Sequence, residues 1–167
     1  MRQLIITFLM AALLSSTIAC GGQSATQTPG VSVAPAHGES GATPPSGPQV
    51  TFQTAQGPVT LSLEVARSLE DRTRGLMGRT YMEPGSGMVF VWETPTDSPF
   101  WMKDTLIPLS IAFIAADGAV IDIQDMEPLT LTRHFPPGPY LYAVEANKGF
   151  FEQNGVAEGD KASFTGL

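Results

Sequence analysis

Leu109-Ser-Ile-Ala-Phe-Ile-Ala-Ala-Asp-Gly-Ala-Val-Ile-Asp-Ile-Gln-Asp-Met126 decides the architecture of this chain. Two apolar-rich runs flank Asp117-Gly118, a pair that accepts the positive φ of a tight reversal. Val120–Met126 alternates apolar and polar side chains, the period of a half-buried strand. Leu109–Ala115, on the other side of the turn, is likewise rich in apolar residues. The stretch predicts a β-hairpin pairing Leu109–Ala115 with Val120–Met126.

Working outward, the same signals recur. Upstream, Val50–Thr54 and Val59–Val65 alternate and are joined by a turn at Ala55-Gln-Gly-Pro58. Ser68 is placed to cap a helix with Glu70 and Asp71 in its first turn. That helix is expected to run to about Met77, stop at Gly78, and present Leu69, Leu76 and Met77 on one side. Met88–Trp92 and Phe100–Lys103 read as further strands. Downstream, the prolines at 136, 137 and 139 make 129–139 a loop. Tyr140–Ala146 reads as a central strand, a short helix follows around Gly149–Asn154, and Lys161–Phe164 closes the chain. Strands joined by short connections predict a mainly β domain, an antiparallel sandwich or barrel with one or two short helices packed on it.

Outside that domain, at 50–167, the composition changes. Met-Arg-Gln followed by the apolar run Leu4–Leu14 and the small residues Ser15–Ala19 has the order of a secretory signal peptide, 1–19. Cys20 is the only cysteine and stands at the edge of this run. Thr17-Ile-Ala-Cys20 resembles the bacterial lipobox, with Thr17 where Leu is usual. The resemblance implies lipidation at Cys20 and a membrane partner through that lipid. Of the 29 residues 21–49, 18 are Gly, Pro, Ser or Thr, a composition expected to form a flexible tether. Without 1–19 the chain has 8 basic and 16 acidic residues, a net charge of −8. No basic run is present, which excludes nucleic acid as a partner on electrostatic grounds.

Arg74-Gly-Leu-Met-Gly-Arg79, Gly87-Met-Val-Phe90, the stretch from Phe100-Trp-Met-Lys-Asp-Thr105 through Leu109, Ile111-Ala-Phe113, Val144-Glu-Ala-Asn147 and Gly159-Asp160 occur in order along the domain. Together they resemble the domain of unknown function 192 family. The resemblance implies a compact β-sandwich-like fold found in secreted and lipid-anchored bacterial proteins, and brings no activity with it. Asp104 stands where the family usually has Asn, and Ser110 where it usually has Asp. If these positions form a polar site, this chain carries an altered one.

The candidate site residues are Arg74, Trp101, Asp104, Glu145 and Asn147. Arg72, Arg74 and Arg79 lie in one short stretch and suit an anion; Arg72 or Arg74 equally suits Glu145, a lone acid in an apolar strand that needs a partner if buried. Trp101 belongs to an aromatic run able to form a stacking platform for a flat ligand. The scattered methionines and His134 have no regular metal-ligand spacing, and Asp122, Asp125 and Glu127 lack a calcium-loop pattern. No cofactor motif and no nucleophile–base arrangement is present. The reading is therefore a non-enzymatic binding or interaction module for a small molecule or envelope partner. The alternative is a small hydrolase-like enzyme using Asp104 and Glu145.

Overall fold

The computed structural model describes residues 47–167. Cys20, the segment 1–19 and most of the expected tether lie outside them. Seven strands, β1 (Gln49–Thr54), β2 (Gly57–Ala66), β3 (Ser86–Thr96), β4 (Leu109–Ile114), β5 (Val120–Met126), β6 (Tyr140–Asn147) and β7 (Lys161–Thr165), form one sheet in the order β5-β4-β6-β3-β2-β1-β7. All neighbours are antiparallel except β2 and β3, which run parallel. A parallel pair needs a crossover, and the segment carrying α1 (Leu69–Arg74) supplies it.

The sheet curls until its two ends touch. Ala119 bridges to Lys161, Val120 N–H donates to Asp160 C=O at 2.9 Å, and Ala162 N–H donates to Gly118 C=O at 2.8 Å. Gly118 is needed twice here. Its φ of +83° completes the β4–β5 turn, and a Cβ at this position would meet the Ala162 carbonyl oxygen at 2.6 Å. The hairpin expected from Asp117-Gly118 is thus present, and it also fastens the curled sheet.

Curling gives the sheet two buried faces. Val50, Phe52, Leu61, Leu63, Val89, Val91, Ala112, Ile114, Val144 and Ala146 form the inner core, joined by Phe151 of α2 (Phe150–Gln153) and by Val156. Met88, Phe90, Leu109, Ile111, Phe113 and Ala143 point the other way and are covered by Leu76, Met82, Met102 and Ile107 from the loops. Strand β4 is buried at all six positions because it lies beneath both cores.

Two expectations fail. The helix ends at Arg74, not Met77, because Gly75 takes φ +44° and terminates it. Its predicted apolar side is also absent: Leu69 is 76% exposed, whereas Leu76, beyond the helix, is buried. Phe100–Lys103 is not a strand. Only Phe100 makes a bridge, to His134, and the segment is a loop held across the outer core by the fully buried Met102.

Candidate functional site

Strand β6 carries Glu145 into the outer core. Its register places Glu145 between Met88 of β3 and Ile111 of β4, both apolar. The fit is close on the β3 side, where a Cβ on Gly87 would lie 2.4 Å from the Glu145 carbonyl oxygen. Glu145 itself is only 4% exposed. Its carboxyl makes no hydrogen bond or ion pair among the described residues. The carboxyl is not sealed in, however: among the described residues no fully enclosed side-chain oxygen lacks a partner, and Glu145 opens on a cavity of about 30 Å³. Burial pushes its pKa up to about 8, so the group is mainly neutral at pH 7.

The cavity is walled by the turn after α1 and by the 100–105 loop. Arg72, Arg74, Gly75, Phe90, Phe100, Trp101 and Thr105 line it with Glu145. Three of the five sequence-derived candidates, Arg74, Trp101 and Glu145, therefore meet at one place. The volume suits one or two water-sized groups. A neutral carboxyl offers both a donor and an acceptor, and Thr73 and the buried Thr105 bring hydroxyl-bearing side chains to the same lining.

The expected pairing of Glu145 with an arginine is overturned. Arg74 pairs instead with Glu70, one helical turn earlier, at 2.5 Å. Arg72 donates to the Val91 carbonyl at 3.0 Å and lies over the Trp92 ring at 5.1 Å. Arg79 grips Glu64, whose pKa falls on account of that hydrogen bond. Each arginine of the stretch has its own local partner, so the three do not form a shared anion grip.

Asp104 and Asn147 lie apart from this cavity. Asp104 is exposed, 3.9 Å from Lys103 Nζ, and its backbone carbonyl accepts from Gly78 N–H at 2.8 Å. It is not among the residues lining the Glu145 cavity, so no paired-carboxylate site is formed there. Nor does Asp104 meet Ser110, whose hydroxyl donates to Asp125 at 2.5 Å and accepts from Gly149 N–H at 2.8 Å. Asn147 donates to the carbonyls of Met82 and Glu83 at 3.1 and 3.3 Å, tying that loop to the end of β6. It borders a separate, open groove of about 760 Å³ with Tyr81, Ile107 and Phe150.

Trp101 is not a bare stacking platform. Lys103 Nζ stands 5.7 Å and Arg133 Cζ 5.1 Å from its ring centroid. Sequence reasoning did not find Arg133, because the contact depends on pairing between two loops distant in the chain. Phe90 and Phe113 pack edge-on against the half-buried Phe100, Tyr140 packs edge-on against Phe113, and these rings are core.

The comparisons agree with this architecture. The family model for DUF192, described as an uncharacterized ACR, matches residues 50–164. The structure of a Sinorhizobium meliloti 1021 protein, provisionally labelled a transcription regulator, is 34% identical with a TM-score of 0.69. The match covers 72% of this chain and 95% of that one. A Novosphingobium aromaticivorans DSM 12444 protein of unknown function is likewise 34% identical, with a TM-score of 0.67 over 69% of this chain and 83% of its own. No curated protein matches significantly. On the ordered motifs, the curled seven-stranded sheet and these matches, the chain belongs to the DUF192 family.

Proposed function

We propose that this domain is a non-enzymatic binding module, held at an envelope membrane by lipid on Cys20, which takes a small polar group of a ligand into the Glu145 cavity. One observation carries the reading: a buried carboxyl without a protein partner opens on a cavity. Burying a polar group with its hydrogen bonds unmade costs roughly 1–3 kcal/mol. A bound hydroxyl, amine or amide that supplies those bonds recovers part of that cost.

The volume limits the guest to a terminal functional group, with the rest of a larger ligand outside, past Trp101. The label borne by the S. meliloti relative does not extend to DNA contact here, since the chain is acidic, with 16 Asp and Glu against 9 Lys and Arg. The alternative enzyme reading draws no support from Asp104, which lies outside the cavity.

The reading is tested by melting the domain with glycerol, ethanolamine, glycine or acetate at pH 6. A ligand bound only by the folded state raises its melting point. At least one of the four is expected to raise it for the parent and not for Glu145→Leu, which removes the polar group. Absence of any shift, or equal shifts in both proteins, would refute the ligand site. The tether is tested separately: Cys20→Ser in the full chain is expected to shift it out of the membrane fraction or leave its signal uncleaved.

A further inference from the structure

Loops 99–106 and 127–135 lie side by side and are stitched together by backbone hydrogen bonds. Phe100 and His134 exchange bonds at 3.0 and 2.8 Å, Met102 N–H donates to Thr130 C=O at 3.1 Å, and Leu129 N–H donates to Thr105 C=O at 3.0 Å. Met102 roots the pair in the outer core. From this platform five large apolar side chains project to the surface: Trp101, Leu106, Leu129, Leu131 and Phe135. Only three others are comparably exposed among the described residues. Scattered exposed apolar residues need no explanation, but a concentration of them does.

The backbone reinforces the point. Among the described residues, the non-glycine residues with positive φ are Asp104 (+56°) and Leu129 (+61°), and both lie in this loop pair. Asp tolerates the left-handed region; leucine adopts it only against steric resistance. Leu129 is nevertheless held there with its side chain 58% exposed. Such an outlier motivates a functional reading.

We propose that this loop pair is a membrane-contact surface, with Leu129, Leu131 and Phe135 entering the interface of an anionic bilayer. The occupant follows from the composition of the patch. An indole flanked by cations and surrounded by leucine and phenylalanine matches the pattern of residues at a membrane–water boundary. Lys103 and Arg133 both lie against Trp101; Lys103 also stands 3.9 Å from Asp104 and the loop's Glu127 pairs with Lys148, which leaves Arg133 as the cation that would meet anionic headgroups in a chain that is otherwise strongly acidic. The proposed lipid on Cys20 would keep that surface near the bilayer, since a chain of the Gly-, Pro-, Ser- and Thr-rich composition of 21–46 is expected to span on the order of 30 Å. The inference uses the proposed tether for this proximity alone; Trp101 also lines the Glu145 cavity, so the two readings are separated at Leu129 and Leu131, which do not.

The domain 47–167 lacks Cys20 and isolates the contact from the anchor. Both cores are built within 50–162, and a relative consisting almost wholly of this domain has been solved, so it folds alone. In a Trp92→Phe background the remaining tryptophan, Trp101, reports on the loops. The protein is mixed with vesicles of phosphatidylglycerol and phosphatidylethanolamine, or of phosphatidylcholine alone. Expected are co-sedimentation and a blue-shifted Trp101 emission with the anionic vesicles, weakened by salt. Leu129→Asn with Leu131→Gln should reduce that partition at least tenfold. Asn accepts a left-handed backbone, so the variant's unchanged or raised melting point separates lost binding from lost folding. No binding to anionic vesicles, equal binding to phosphatidylcholine, or undiminished binding by the double variant would overturn the proposal. Such a result would direct the surface to a protein partner instead.

Discussion

The two faces of the sheet solve the same burial problem differently. Strands wrap the inner face, and Phe52, Leu61, Val89, Ile114 and Val144 leave it without a buried carboxyl among the described residues. The outer face is covered by the α1 crossover and the 97–108 loop, and it admits Glu145, Thr105 and a cavity. Sheet ladders fix side chains at regular spacing, so facing residues interdigitate closely. Loops cover a face with side chains at irregular spacing and leave gaps. The contrast assigns stability to the inner face and adaptability to the outer one.

The largest effect expected is on the inner face. Phe52 is fully buried and meets Phe151 edge-on at 5.7 Å between centroids. Phe52→Ala should cost about 4 kcal/mol in denaturant unfolding. A cost below about 1 kcal/mol would show that the inner core is as loosely packed as the outer.

Next comes the charge on the outer face. Glu145 has a folded pKa raised to about 8 against an ordinary 4.5. The folded state therefore holds its proton where the unfolded chain has released it. Stability is full below about pH 4.5, falls as pH rises, and the loss is complete above about pH 8. At 1.36 kcal/mol per pKa unit the loss reaches about 3 kcal/mol by pH 7. Glu145→Gln cannot ionise, so it should match the parent near pH 4 and exceed it by about 3 kcal/mol at pH 7. This reverses the destabilisation that an Arg–Glu145 pair would give, because the pair is not there. Parallel stability curves for the two proteins from pH 4 to 9 would contradict the contrast.

The smallest effect sharpens it. Leu129 lies in the loop pair beside the outer face with φ +61°. Leu129→Asn should stabilise the domain by about 1 kcal/mol, the strain of the left-handed leucine, read as a melting point a few degrees higher. A lower melting point would mean that the exposed side chain supports the fold.

These differences also mark what the sequence conveys. Regular strands announce themselves: Leu109–Met126 and Tyr140–Ala146 follow periods set by the sheet, and their observed limits lie within a residue or so of those expected. Phe100–Lys103 imitates that period because half-buried Phe100 and buried Met102 flank exposed Trp101, yet the partner segment is loop, so no ladder forms. The apolar strand around Glu145 conveys that its carboxyl needs a partner if buried, and the structure buries it. The competitor for its arginine is also present in the sequence: Glu70 and Arg74 stand four apart, the spacing of a helical ion pair, and this nearer partner claims Arg74. The meeting of Trp101 with Arg133, and the surface built by loops 99–106 and 127–135, arise from packing between irregular segments, which no local period encodes.

The central claim is that Glu145 is a buried, unpartnered carboxyl opening on a cavity, and its proton affinity reports this directly. In the domain labelled with ¹³C-glutamate, the side-chain carboxyl resonances are followed from pH 3 to 10. One resonance, absent from Glu145→Gln, should titrate with a midpoint near 8. A Glu145 midpoint near the ordinary 4.5 would show a solvated or paired carboxylate and would contradict the account.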